Sequence, residues 1–141
     1  MPSKTAKKKC STSNTQKNLD LVDETILQQV IKDTSVEVIP LLIECYLRES
    51  YSCLEKIHEA FHRKNIAMLQ FETHNLSASA LALGNRQLSE MAKKIELFCL
   101  NKQLDKAFES EFEFQLLARR SIQSLADRKK LGFETPSSSK I

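Results

Sequence analysis

Leu69-Gln70-Phe71-Glu72-Thr73-His74-Asn75-Leu76-Ser77-Ala78-Ser79-Ala80-Leu81-Ala82-Leu83-Gly84 reads as one helix with two unlike faces. At the helical step of about 100° per residue, with Leu76 at the centre of the apolar face, Leu69, Thr73, Ala80 and Leu83 fall within roughly 60° of that centre. His74 falls roughly 160° away. It shares the outer face with Ala67, Ser77 and Ala78, and Phe71 and Leu81 stand beside them. Gly84 is the natural stop, because glycine takes the left-handed position after a helix without a Cβ clash. An imidazole among small residues, next to exposed apolar ones, is open to another protein. Glu72 falls near the core face, where periodicity offers no reason for a carboxylate.

The same period continues on both sides. A short segment near Asp23 to Lys32 has Ile26, Leu27, Val30 and Ile31 as its stripe, with Asp23 as N-cap. A long one, about Ser35 to Arg63, carries Ile39, Ile43, Tyr46, Cys53, Leu54, Ile57 and Phe61 at steps of three and four. Thr34 and Glu37 have the spacing of a capping box, and Pro40 predicts an irregular first turn. After the segment that bears His74 comes one from about Asn85 to Leu100, with Leu88, Met91, Ala92, Ile95, Phe98 and Cys99 inward. A last helix, capped by Asp105, runs to about Lys130 with Phe108, Gln115, Ala118, Ile122 and Leu125 as its stripe and Glu111 inside it. No strand alternation of convincing length and no solenoid repeat interrupts these segments. Four long helices on short links pack as an all-α, antiparallel up-down four-helix bundle, with the short first helix over one end.

The composition fits. Only two glycines and three prolines in 141 residues leave little material for turns, and 41% apolar with 28% charged residues is ordinary for a soluble domain. Residues 1–19 hold five lysines and no acid, so of the net charge of +3 a balance of −2 falls to residues 20–141. The expected organisation is a disordered basic tail at 1–19, a helical domain at 20–131 and a disordered tail at 132–141. The basic tail lacks the aromatic residues or amphipathic pattern of a nucleic-acid or membrane arm, so neither partner is expected. No apolar run is long enough to span a bilayer, and no h-region marks a secretory signal. Cys10, Cys45, Cys53 and Cys99 show no CxxC pairing and no metal-ligand spacing, which reads as reduced, packed thiols in a cytoplasmic protein.

His74-Asn75-Leu76, Ser79-Ala80, Gly84 ten residues after the histidine, Leu88 and Ile95-Glu96 together resemble the signature of histidine phosphotransfer (HPt) domains. The order and lengths of the helices agree, so the resemblance covers about residues 20–130. Val38-Ile39-Pro40-Leu41-Leu42-Ile43-Glu44 further resembles the LuxU type, small stand-alone relay proteins of quorum-sensing pathways. The resemblance implies that His74 accepts a phosphoryl group from the aspartate of a receiver domain in a hybrid sensor histidine kinase and passes it to the receiver of a response regulator. It implies docking through Ala67, Gln70, Phe71, Ser77, Ala78 and Leu81, by a monomer without cofactor or metal of its own, the Mg²⁺ coming with the partner receiver. Two positions depart from the family pattern: its lysine three residues after the histidine is Ser77 here, and the glycine that follows is Ala78. The alternative reading is therefore an HPt-like binding adaptor with little or no phosphotransfer.

A neutral imidazole is a competent nucleophile near neutral pH, and phosphoryl transfer asks for in-line placement and charge neutralisation more than for covalent machinery. The chain has neither a Walker loop nor a kinase glycine-rich loop, so autophosphorylation from ATP is not expected, and the protein is an intermediate rather than an enzyme. His58-Glu59-Ala60-Phe61-His62 also matches the HExxH pattern of zinc proteases. On the wheel both histidines lie roughly 100–140° from the apolar centre of their helix, facing solvent or its flank, and no metzincin continuation follows.

Overall fold

The structure is a computed structural model that describes residues 21–133. Among them are six helices and no strand: α1 (Glu24–Asp33), α2 (Ile39–Arg63), α3 (Ile66–Ala82), α4 (Arg86–Leu100), α5 (Leu104–Glu109) and α6 (Glu111–Leu131). The four long helices close a ring in which α2 packs on α3 and α6, and α4 packs on α3 and α6. Links of a few residues between α2 and α3, and between α3 and α4, force successive helices to run antiparallel. The expected bundle is thus the observed one. Its centre is filled by fully buried Leu27, Ile39, Ile43, Ile57, Leu69, Leu76, Leu88, Ile95, Phe114, Ile122 and Leu125. Each such side chain contributes about 1.5–3 kcal/mol relative to exposure, which makes this shared apolar seam the main driving force. No helix among the described residues is long and apolar enough to cross a membrane.

Helix ends follow the sequence in part. Asp23 caps α1 by accepting the Thr25 backbone N–H at 3.0 Å. Asn65 caps α3 by accepting the Met68 N–H at 3.1 Å. The expected capping box fails. Thr34 closes α1 instead, its hydroxyl donating to the Val30 carbonyl at 2.7 Å, and α2 starts five residues later behind a turn, with Pro40 in its first turn. Lys64 ends α2 in the left-handed conformation at φ 55°, a place more often taken by glycine.

The expected single helix from Asp105 to Lys130 is two. α5 ends at Ser110, whose hydroxyl donates to the Lys106 carbonyl at 2.8 Å, and α6 starts afresh at Glu111. The break shifts the phase of the buried face: Phe114, absent from the expected stripe, is wholly buried, whereas Phe108 and Gln115 are only half-buried. Glu111 sits at the flank and accepts from Gln115 Nε2 at 3.4 Å. The tail segment 1–19 lies outside the described residues, as does the chain beyond residue 133. Of the expected C-terminal tail, Phe133 packs on the bundle with its ring centre 4.3 Å from the Arg128 guanidinium, and Arg128 Nη1 donates to the carbonyl of exposed Gly132 at 2.7 Å.

Gly84 and Asn85 fasten the end of the bundle where α1 lies. Gly84 has φ +95°, and its carbonyl accepts the Asp23 N–H at 2.7 Å. A Cβ there would stand 3.1 Å from the Asp23 carbonyl oxygen, which a backbone held by that bond cannot yield easily. Asn85, fully buried, accepts from the Tyr46 hydroxyl at 2.9 Å and donates to the carbonyls of Leu21 (2.9 Å) and Ser121 (3.1 Å). One amide so joins α2, α4, α6 and the strand of chain before α1. Gly84→Ala combines a disfavoured φ with that close approach and should lower stability by about 1–2 kcal/mol. A shift of the urea midpoint to lower concentration checks this, and an unchanged midpoint contradicts it.

Candidate functional site

α3 and α4 approach through small residues. Ser77 Oγ donates to the Ser89 carbonyl at 3.0 Å, Ser89 Oγ donates to the Ser77 carbonyl at 2.7 Å, and the two hydroxyls lie 3.1 Å apart. Both serines are buried. Ser77 was expected on the outer face as a docking residue, and it is not there: α4 covers it. The wheel placed it roughly 100° from Leu76, at the border between faces, and the neighbouring helix decides the matter.

This pairing sets the register of the two antiparallel helices, and the register brings His74 to Glu96. Opposite Ser77–Ser89, one turn back on α3 reaches His74, and about two turns on along α4 reach Glu96. Side chains on a helix lean toward its N-terminus, so on antiparallel helices the imidazole and the carboxylate lean toward each other. His74 Nδ1 and Glu96 Oε2 are hydrogen-bonded at 2.9 Å. The histidine side chain is 62% exposed and the glutamate only 12%. Glu96 Oε1 is buried without a protein partner. An ionised carboxylate only accepts, so Nδ1 carries the proton and the lone pair of the neutral ring lies on Nε2. The site is therefore a solvent-facing Nε2 on a ring fixed from behind by a carboxylate.

Around the ring, Phe71 and Leu81 are exposed, as expected, with Ala67 and Ala78 also at the surface and Gln70 half-buried. Two further exposed apolar residues come from α4, Leu97 and Leu100. The sequence reading missed them and the orienting role of Glu96. They lie on the same turns of α4 as Glu96, and once α3 and α4 are paired their exposure next to the α3 outer face follows. On the other side of α3 a groove of about 490 Å³ reaches His74 between α2 and α3, walled by Ser52, Lys56, Asn75 and Ser79. At its edge Glu72 finds its explanation. Nearly buried, it receives the Cys53 thiol, which approaches its Oε1 at 3.3 Å and its carbonyl at 3.2 Å.

The HExxH residues build no metal site. His58 and His62 face solvent, His58 Nδ1 accepts from Gln115 Nε2 at 3.0 Å, and Glu59 pairs with Arg63 at 3.2 Å. Among the described residues no group of three His, Cys, Asp or Glu side chains is arranged to hold a metal ion. The Val38–Glu44 stretch serves the core: Ile39 and Ile43 are fully buried.

The fold matches that of the crystal structure of histidine-containing phosphotransfer protein B (HptB) from Pseudomonas aeruginosa PAO1, with a TM-score of 0.72 over 79% of this chain and 96% of that one, at 14% sequence identity. No protein-family model and no curated protein matches the sequence. The chain thus shares the all-helical fold of that protein.

The thiols differ sharply, and not all are packed as expected, since Cys45 is exposed. Burial first, and then the hydrogen bond and negative charge of Glu72, push Cys53 up to about 12. Burial followed by the charge of Glu96 also raises Cys99. The thiolate is the reactive form, so iodoacetamide at pH 8 should modify Cys45 well ahead of Cys53 and Cys99 in the folded protein. Peptide mapping of the alkylated chain reads the order; equal labelling of Cys45 and Cys53 would contradict it.

Proposed function

We propose that this chain is a phosphorelay intermediate that accepts a phosphoryl group on His74 Nε2 from the aspartyl phosphate of one receiver domain and passes it to the aspartate of another. The observation that carries the proposal is the His74–Glu96 pair. In the first step the Nε2 lone pair attacks phosphorus, the N–P bond forms as the bond from phosphorus to the carboxyl oxygen breaks, and the aspartate leaves as carboxylate. The ring, still protonated on Nδ1, becomes cationic, and Glu96 stands where it stabilises that charge. Reversal toward a second receiver returns the ring to neutral. Nothing here requires a nucleotide loop, a metal or a cofactor on this chain, and Mg²⁺ comes with the receiver.

Docking falls to the exposed apolar collar of Phe71 and Leu81, with Ala78 between them, Ala67 and Gln70 on the N-terminal side of Phe71, and Leu97 and Leu100 across on α4. Aromatic and aliphatic side chains exposed around a reactive centre are what a transient interface uses as anchors. The reading places the chain in the cytoplasm, acting as a monomer between a hybrid sensor kinase and a response regulator. A quorum-sensing pathway of the LuxU type rests on the sequence resemblance alone.

A second reading, the binding adaptor, is favoured by one observation: α3 carries no lysine or arginine, and the place of the motif lysine is a buried serine. The two readings part in one experiment. Full-length protein incubated with a receiver domain that carries labelled aspartyl phosphate should acquire acid-labile label, His74→Gln should acquire none, and Glu96→Gln should be labelled roughly tenfold more slowly, a hydrogen bond to a charged partner being worth about 1.5 kcal/mol or more. Binding of the receiver without any transfer would establish the adaptor instead.

A further inference from the structure

Resting on the relay reading, we infer that Lys93 of α4 is the cation that holds the phosphoryl group on His74. A phosphoryl group brings close to two negative charges near neutral pH, and on an exposed ring it needs a counter-charge. α3 supplies none. Lys93 lies four residues after Ser89, which touches Ser77, and three before Glu96, which touches His74. Residues three and four apart share a helix face, so Lys93 stands on the α3-facing flank of α4 between two observed contacts with α3. It is exposed, and its flexible stem is free to swing the ammonium to the side of the ring away from Glu96. The next residue, Lys94, is turned about 100° further round the helix, away from α3.

A second cation, Lys56, lines the groove between α2 and α3 that reaches His74. Its groove also contains the carboxylates of Glu49 and Glu72, which repel a phosphoryl group and compete for the ammonium. On the flank of Lys93, Glu96 is taken up by the imidazole, and the other carboxylate, exposed Glu90, lies one turn back along α4, on the side away from Glu96.

The test needs no partner. Phosphoramidate donates a phosphoryl group directly to exposed histidines, and with His58→Gln and His62→Gln in every protein compared, ³¹P NMR of the full chain follows the formation and loss of phosphohistidine at His74. Lys93→Gln should lower the ratio of formation to loss about fivefold at low salt, the size expected for one exposed charge-assisted contact, with the difference shrinking as salt is raised. Lys93→Arg should keep the wild-type ratio, as should Lys94→Gln and Lys56→Gln. Lys93 is exposed, so its variants should melt like the wild type. A wild-type ratio in Lys93→Gln, or the same loss in Lys56→Gln, would overturn the inference and leave the relay reading standing. Failure of the wild type itself to label at His74 would overturn both.

Discussion

Two serine hydroxyls exchanged between α3 and α4 fix the position of everything at the reactive surface. Ser77 and Ser89 each donate to the other's backbone carbonyl. As net stabilisation, two such bonds contribute only about 1 kcal/mol each, far less than the apolar seam beside them. Their importance lies in what they forbid. An apolar face tolerates sliding by a turn, but a slide here would bury two hydroxyls without partners, at about 1–3 kcal/mol apiece. The pairing therefore selects one register, and in that register His74 meets Glu96. Small side chains at this point also let the helices come close enough for a histidine and a glutamate to bond across them.

The consequence is a division of labour across one aromatic ring. Nδ1 faces a nearly buried carboxylate, and the rest of the ring belongs to a side chain that is mostly exposed. The buried partner removes the freedom of the ring to rotate or change tautomer, so the lone pair stands ready on the accessible nitrogen before any partner arrives. The same carboxylate gains importance once the ring is cationic. Placing Glu96 on α4 and His74 on α3 makes the site depend on tertiary packing, and Ser77, buried against Ser89, is part of that packing. With no lysine or arginine on α3, the proposed counter-charge comes from a neighbour, and Lys93 is the cation on the flank that the register presents.

Features encoded locally were legible in the sequence. The outward turn of His74 follows from helical period, and the stop at Gly84 from the φ that glycine alone adopts without strain, here +95°. The Asp23 cap needs only the residues beside it. Features decided between elements were not legible. Ser77 sits on the border of its helical wheel, and only Ser89 on another helix determines that it is buried. Glu72 on a core face looks anomalous until Cys53 arrives from α2. The break at Ser110 has no glycine or proline to announce it, and it shifts the buried face of the last helix so that Phe114 becomes core. Lys64 in the left-handed region gives no compositional sign either.

The tautomer of His74 tests the central claim most directly, because it is the property that the Glu96 contact exists to impose. Long-range ¹H–¹⁵N correlation of the full-length protein above the titration of the ring should show Nδ1 protonated and Nε2 bare, and the Nδ1 assignment should weaken in Glu96→Ala. A ring protonated on Nε2 in the wild type, or one indifferent to the loss of Glu96, would contradict the account.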